Sequence, residues 1–211
     1  MTESYGDRYH RALWDSPAAP YLLKRGLLHS TIERFRLGYV DKPAPGHHSY
    51  RGRLAIPYED GMGRERGLRY RRIDGEKDFK YLATKRFSHL FAVRAADYPV
   101  VYLTEGEIDA MILWQLGYRA VAVPGAQAWQ DEWKYLFRNC DEVVLCFDND
   151  PPQRINGKVV NPGQMGQVKV YRSLESAGVV TRQANLPRGV DINEGLLALG
   201  ERGLRELLEA A

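Results

Sequence analysis

Only two cysteines, Cys140 and Cys146, occur in the 211 residues. Two thiols cannot build a disulfide framework. They also fall short of the roughly four ligands that a structural zinc site uses, so no zinc is expected. Cys146 lies inside an apolar run and reads as a packed core thiol. No apolar stretch approaches the ~18 residues of a membrane helix, so no membrane partner is expected. The opening residues, MTESYGDRYHRALWD, lack the apolar centre of a secretory signal. These shortages point to a reducing, cytoplasmic setting. A phosphate-binding glycine loop in its required context is missing too. Gly61-Met62-Gly63 with Gly67 opens no helix, and Pro162-Gly163-Gln164-Met165-Gly166 carries no Lys-Ser/Thr pair.

Hydrophobic residues make up 44% and charged residues 27%, an ordinary globular balance. The net charge of +3 is unevenly spread, with residues 1–98 carrying +7 and residues 99–211 carrying −4. A basic half joined to an acidic half suits polyanion binding beside a metal site, although two solvated surfaces of opposite sign would give the same count.

Punctuation divides the chain in the same place. Residues 8–40 read as short helices over 8–14, 18–25 and 31–35. Ser30 is expected to cap the third, and Gly38 to end it. Residues 41–49 form a loop. Stretches 53–58, 67–73 and 80–82 alternate as strands, separated by turns at 59–63 and 74–75. The result is a small, arginine-rich α+β module. Residues 99–211 then alternate strand and helix, with strands at 100–104, 120–123, 143–147 and 179–184. Helices follow at 108–116, 131–138, 165–177 and 191–209. This order predicts an α/β fold with a doubly wound, mainly parallel sheet. The expected domains are therefore 1–98 and 99–211.

Two of these strands end in acids. Val100–Thr104 leads into Glu105-Gly106-Glu107-Ile108-Asp109, and Val143–Phe147 leads into Asp148-Asn149-Asp150. Ligands of open α/β sheets bind at such carboxyl ends. Gly106 would permit the tight turn into the helix. Asp109 follows Glu105 by four residues, so both can face one site if the helix starts early. Asp148 and Asp150 project to one side of extended chain. Asp191 and Asn193 repeat that spacing with one neutral oxygen. Together these oxygens suit one or two Mg²⁺ or Mn²⁺ ions. Simpler readings exist: Asp148 as a turn residue, Asp191 as a helix cap, and Glu107 as a solvated acid at a helix start.

TEGEIDA, VLCFDND and LPRGVDINE together resemble the Toprim domain, the catalytic fold of primases and topoisomerases. Upstream, YLLKRGLLHSTIERFRLGYV and RGRLAIPYEDGMGRERGLRYRRIDGEKDFKYLATKRFSHLFAV resemble the lead-in helices and basic subdomain of DnaG-type primases. The resemblance covers roughly residues 18–199, and the DINE ending resembles phage primase-helicases. It implies metal-binding acids at Glu105, Asp109, Asp148, Asp150 and Asp191, with Glu105, Asp148 and Asp150 catalytic. Asn193 stands where bacterial primases often carry a second Asp. Nucleotide- and template-contacting residues fall on Arg53, Arg71 and Lys80; for Arg69 and Arg72 two readings stand, the template strand or only solvent. A second family lysine has no clear counterpart, with Lys85 or His89 as stand-ins. Residues 151–161 look like an inserted hairpin turning at Asn156-Gly157, whose Arg154 and Lys158 reach phosphates or only solvent.

The resemblance implies synthesis of short RNA primers from ribonucleoside triphosphates on single-stranded DNA, in a bacterial or phage-infected cell. The family's zinc module and helicase-binding part are not matched in the chain, so a separate helicase or zinc-domain protein is an expected partner. A Toprim nuclease and a non-catalytic module binding single-stranded DNA or a helicase remain alternatives.

Overall fold

A computed structural model describes residues 4–210 apart from 77, 78, 85, 86, 126, 149–152, 156, 157 and 161, with backbone alone at 153–155, 158–160, 162 and 163. Two compact units result, residues 1–89 and 90–211. The division thus falls nine residues or so ahead of the expected boundary after Tyr98. The reason is packing: Phe91 bridges Ala122, and Leu90, Ala95 and Ala96 join the core of the second unit.

The first unit opens with helices α1 (Tyr5–His10), α2 (Ala18–Lys24) and α3 (His29–Arg34). Leu28, not Ser30, is the N-cap of α3, and no side chain caps it. Gly38 does not stop a helix but starts strand β1 (Gly38–Tyr39). Strands β2 (Leu54–Glu59), β3 (Glu65–Arg71) and β4 (Tyr81–Ala83) complete an antiparallel sheet in the order β1-β2-β3-β4. Leu68 and Tyr70 on one face of β3 join a core with Tyr9, Val40, Ala44 and Ala55. Tyr9 accepts from the Ala44 backbone N–H, and its hydroxyl shares a hydrogen bond with His47 Nδ1 at 2.8 Å. Burial and the nearby Arg8 hold the His47 imidazole below its usual range.

The second unit holds β5 (Val100–Thr104), α4 (Glu107–Gln115), β6 (Ala120–Ala122), a 3-10 segment over Asp131–Phe137, and β7 (Glu142–Cys146). A hairpin of β8 (Gln153–Ile155) and β9 (Lys158–Val160) follows, then α5 (Pro162–Ser176), β10 (Thr181–Gln183) and α6 (Ile192–Glu209). The β8–β9 pairing matches the expected inserted hairpin, while its Asn156-Gly157 turn and the Arg154 and Lys158 side chains lie outside the described residues. Gly200, at φ 69°, breaks α6 into two runs in a conformation that favours glycine. Strands β10, β7, β5 and β6 pair in that order, all parallel. Val101, Leu103, Val143 and Leu145 face Trp129, Trp133, Phe137, Val170 and Leu174 in the main core. The 3-10 segment and α5 cover that face, and α4 and α6 pack together away from it.

Read by chain order, the sheet runs second, first, third, fourth. Neighbours β5 and β7 therefore send their connections to opposite sides, which opens a crevice at their carboxyl ends. Both acid-ended runs found in the sequence are these two strands.

Candidate metal centre and the arginine-rich strands

Three carboxylates converge at that crevice. Asp109, Asp148 and Asp191 each offer an oxygen, and these lie within 4.8 Å of one another, with Asp109 buried and the other two half-buried. They arrive on three different elements: the first turn of α4, the exit of β7 and the start of α6. The set is all hard oxygen, suiting a divalent cation such as Mg²⁺ or Mn²⁺ rather than a thiolate-seeking metal.

Two of the three carboxylates, Asp109 and Asp191, are tied to the start of α6. Asp109 Oδ1 accepts from the backbone N–H of buried Asn193 at 3.1 Å, which ties the start of α6 to α4. Asp191 is both cap and member of the acidic group. Its Oδ1 accepts from the Glu194 backbone N–H at 2.6 Å, while the Glu194 carboxylate accepts from the Asp191 N–H at 3.3 Å. This capping box engages one lone pair of Oδ1 and leaves the carboxylate with acceptor capacity for an ion.

Gly106 acts differently from expectation. Its backbone is ordinary extended chain (φ −127°, ψ 152°), open to any residue. What demands glycine is space: a Cβ there would sit 2.9 Å from Asp109 Oδ2. Gly106→Ala should therefore push the Asp109 carboxylate out of the group and weaken Mg²⁺ binding about tenfold or more, measured by calorimetry. Unchanged Mg²⁺ affinity would contradict this placement.

The remaining acids fall as follows. Helix α4 begins at Glu107, so Glu105 precedes the N-cap Gly106 and the expected helical i, i+4 relation to Asp109 does not arise. Glu105 is half-buried directly after β5 and is not among the three converging acids. Asp150 lies outside the described residues. Glu107, read as solvated, has no exposed surface at all: helix α4 is buried around nearly its whole circumference, from Glu107 to Leu113. An acid in the first turn of a helix is favoured by the helix dipole even when buried.

In the first unit three of the five predicted basic residues, Arg69, Arg71 and Lys80, collect around one ring that sequence reasoning missed. Tyr81 stands opposite Arg71 in the β3–β4 register. Arg69 lies 4.0 Å, Arg71 5.2 Å and Lys80 5.8 Å from its ring centroid, and Arg71 also donates to its hydroxyl. These are cation–π distances. Arg69 and Arg71 are mostly buried, whereas Lys80 is exposed. The signal was present: Arg69 and Arg71 alternate on one face, and the paired strand offers an aromatic to that face. Arg53 is buried and donates to the carbonyls of Phe79 at 2.7 Å and Lys80 at 3.4 Å, so it shapes the turn carrying Lys80. Burial lowers its pKa, with the nearby Arg72 adding to the effect. Arg72 is half-buried and paired with Asp74 at 3.0 Å. His89 is half-buried with an edge-on contact to Phe87, and Lys85 lies outside the described residues.

A parallel sheet of this order with carboxylates gathered at its switch point defines a Toprim-type protein, and residues 102–196 match the family described as Toprim-like. The Gene 57 protein of Mycobacterium phage D29 is 30% identical over 173 residues, covering 74% of this chain and 98% of that protein. A DNA primase of Clostridium acetobutylicum is 25% identical over 236 residues, covering 93% of this chain and 38% of the primase. A solved structure described as the DnaG primase catalytic domain bound to ssDNA superposes with a TM-score of 0.72 at 25% identity, over 98% of this chain and 76% of that one. The chain belongs to the Toprim-containing, DnaG-type primase family. It spans nearly all of the phage relative but well under half of the clostridial primase.

Proposed function

We propose that the chain is a primase catalytic core, joining ribonucleotides on a single-stranded DNA template with one or two Mg²⁺ or Mn²⁺ ions. The observation that carries this reading is the convergence of Asp109, Asp148 and Asp191 within 4.8 Å at the sheet's switch point. These three would hold the ions, with Glu105 and Asp150 as further ligands and Asn193 orienting Asp109 through its N–H. A bound divalent ion would make the attacking hydroxyl more acidic and neutralise the leaving pyrophosphate.

The protein's own groups would do the rest. Asp109 and Asp191, pinned by the start of α6, fix the geometry before substrate arrives, which limits reorganisation. Lys80 and the Arg69–Arg71 pair around Tyr81 would neutralise phosphates of nucleotide or template, with Arg53 positioning Lys80 through the turn it binds. Partners would be the template, ribonucleoside triphosphates and a separate helicase or zinc-domain protein. The basic first unit favours primer synthesis over nuclease action, since cleavage needs no nucleotide cradle.

The assay is direct. With ribonucleoside triphosphates, Mg²⁺ or Mn²⁺ and random-sequence single-stranded DNA, with and without a helicase, short RNA should accumulate. Shortening of labelled DNA without nucleotides would turn the reading to a nuclease. Lys80→Ala should raise the apparent KM for nucleotide roughly tenfold with little effect on folding, because its charge-assisted bonds are made to the substrate.

A further inference from the structure

A second concave site lies on the opposite face of the β5–β7 sheet from α4. A cleft of about 520 Å³ runs between the Asp131–Phe137 segment and α5. That volume is in the range of small-ligand sites. Lys134, Lys169 and Arg172 line it, with Asp131 as the carboxylate among the described lining residues. We propose that this cleft binds the phosphate of a nucleotide, free or within a single strand, separately from the acidic centre.

The cations are already in place. Lys134 Nζ donates to Asp131 Oδ2 at 2.7 Å and to Ser176 Oγ at 3.1 Å, and its side chain is only 12% exposed. Lys169 Nζ donates to the Trp129 carbonyl at 2.8 Å. Each ammonium has three N–H donors, so both retain capacity for a ligand. Asp131 offsets one of the three cations and leaves the lining net positive; its other oxygen, Oδ1, accepts from Ser173 Oγ at 2.6 Å, and Ser173 in turn accepts from Trp129 Nε1 at 2.9 Å. The network fixes the floor of the cleft, which lowers the ordering cost of binding.

Helix α5 supplies the rim. Met165, Lys169 and Arg172 follow one another at i, i+4 and i+7, on one helical stripe, with Val168 beside them. Met165 is 58% and Val168 45% exposed. An apolar strip next to three cations suits a ligand that is anionic at one end and flat and apolar at the other. One ammonium from the Asp131–Phe137 segment faces an ammonium and a guanidinium from α5, a set of donors that matches the three oxygens of a phosphate better than a planar carboxylate. A base lying on Met165 and Val168 would complete the match.

The test separates this cleft from the metal centre. Fluorescence polarisation with a labelled nucleoside triphosphate, and in a second arm with a labelled short single strand, is run in EDTA on the full chain. The background is Arg71→Ala with Lys80→Ala, so that the first unit's cations do not dominate. Adding Lys169→Ala with Arg172→Ala, both exposed positions that should not disturb folding, should weaken binding of at least one ligand about tenfold or more. Lys169→Arg with Arg172→Lys should restore it, and Asp148→Asn should leave it unchanged. Loss in the first arm identifies a free nucleotide as ligand, and loss in the second alone identifies a strand. No binding before the alanine substitutions, or equal binding after them, overturns the proposal. Binding at this cleft beside an unsubstituted chain that makes no primers in the assay above would leave this cleft standing while refuting the primase reading.

Discussion

Asp148→Asn should abolish metal-dependent nucleotide joining while the fold survives or gains stability. Removing partners one shell outside a metal commonly costs 10- to 100-fold, so replacing a ligand carboxylate should cost at least about a hundredfold. Asn keeps the shape of Asp148 and removes its charge. In the apo protein three carboxylate oxygens lie within 4.8 Å of one another. At an effective dielectric near 20, two unit charges 4.8 Å apart repel by about 3.5 kcal/mol, and less where water reaches them. Without divalent ions, Asp148→Asn should therefore melt at the same temperature as the parent or higher. Added Mg²⁺ should stabilise the parent by mass action and the variant much less. A melt in EDTA and in Mg²⁺, beside the primer assay, reads both effects. A variant that still synthesises primers, or gains as much from Mg²⁺ as the parent, would remove Asp148 from the centre.

The parts of this centre differ in how legible they were. Strands β5 and β7 are short β-branched runs, and a run of that kind ending in acids declares both its burial and its carboxyl end. Their adjacency follows from chain order once the sheet is taken as doubly wound. Gly106 and Glu107 were misread because their constraints are three-dimensional. A tight turn is a property of backbone torsions that sequence suggests well. The clash of a missing Cβ with Asp109 appears only once the helix is placed. Glu107 looked solvated because polarity usually marks the outer face of a helix, yet α4 has no outer face between Glu107 and Leu113. In the first unit the arginines were found and their surroundings were not. Arg69 and Arg71 alternate with the core residues Leu68 and Tyr70, so a solvated face was natural to expect, but β4 brings Tyr81 against them. Arg53 shows the complementary case: a basic residue resembling a family contact is directed at the backbone of the turn that carries Lys80.

Asp191 carries two duties that a pair of substitutions can separate. As N-cap it satisfies the Glu194 N–H of α6, and as a carboxylate it stands with Asp109 and Asp148. Asp191→Ser keeps a hydroxyl that can cap, so stability should change by only a few tenths of a kcal/mol, whereas Asp191→Ala should lose about 1 kcal/mol. Both remove the charge, so both should lower Mg²⁺ affinity and primer synthesis by about tenfold or more. The coupling has a further consequence. Asn193, two residues along, donates its N–H to Asp109, so fraying the first turn of α6 would disturb two of the three acids together. Asp191→Ala should then lose more Mg²⁺ affinity than Asp191→Ser, although the charge removed is the same. Isothermal titration with Mg²⁺ alongside urea melts measures both quantities. If Ser and Ala lose equal affinity while differing in stability, the helix start holds no part of the site's geometry, and Asp109 must be positioned by α4 alone.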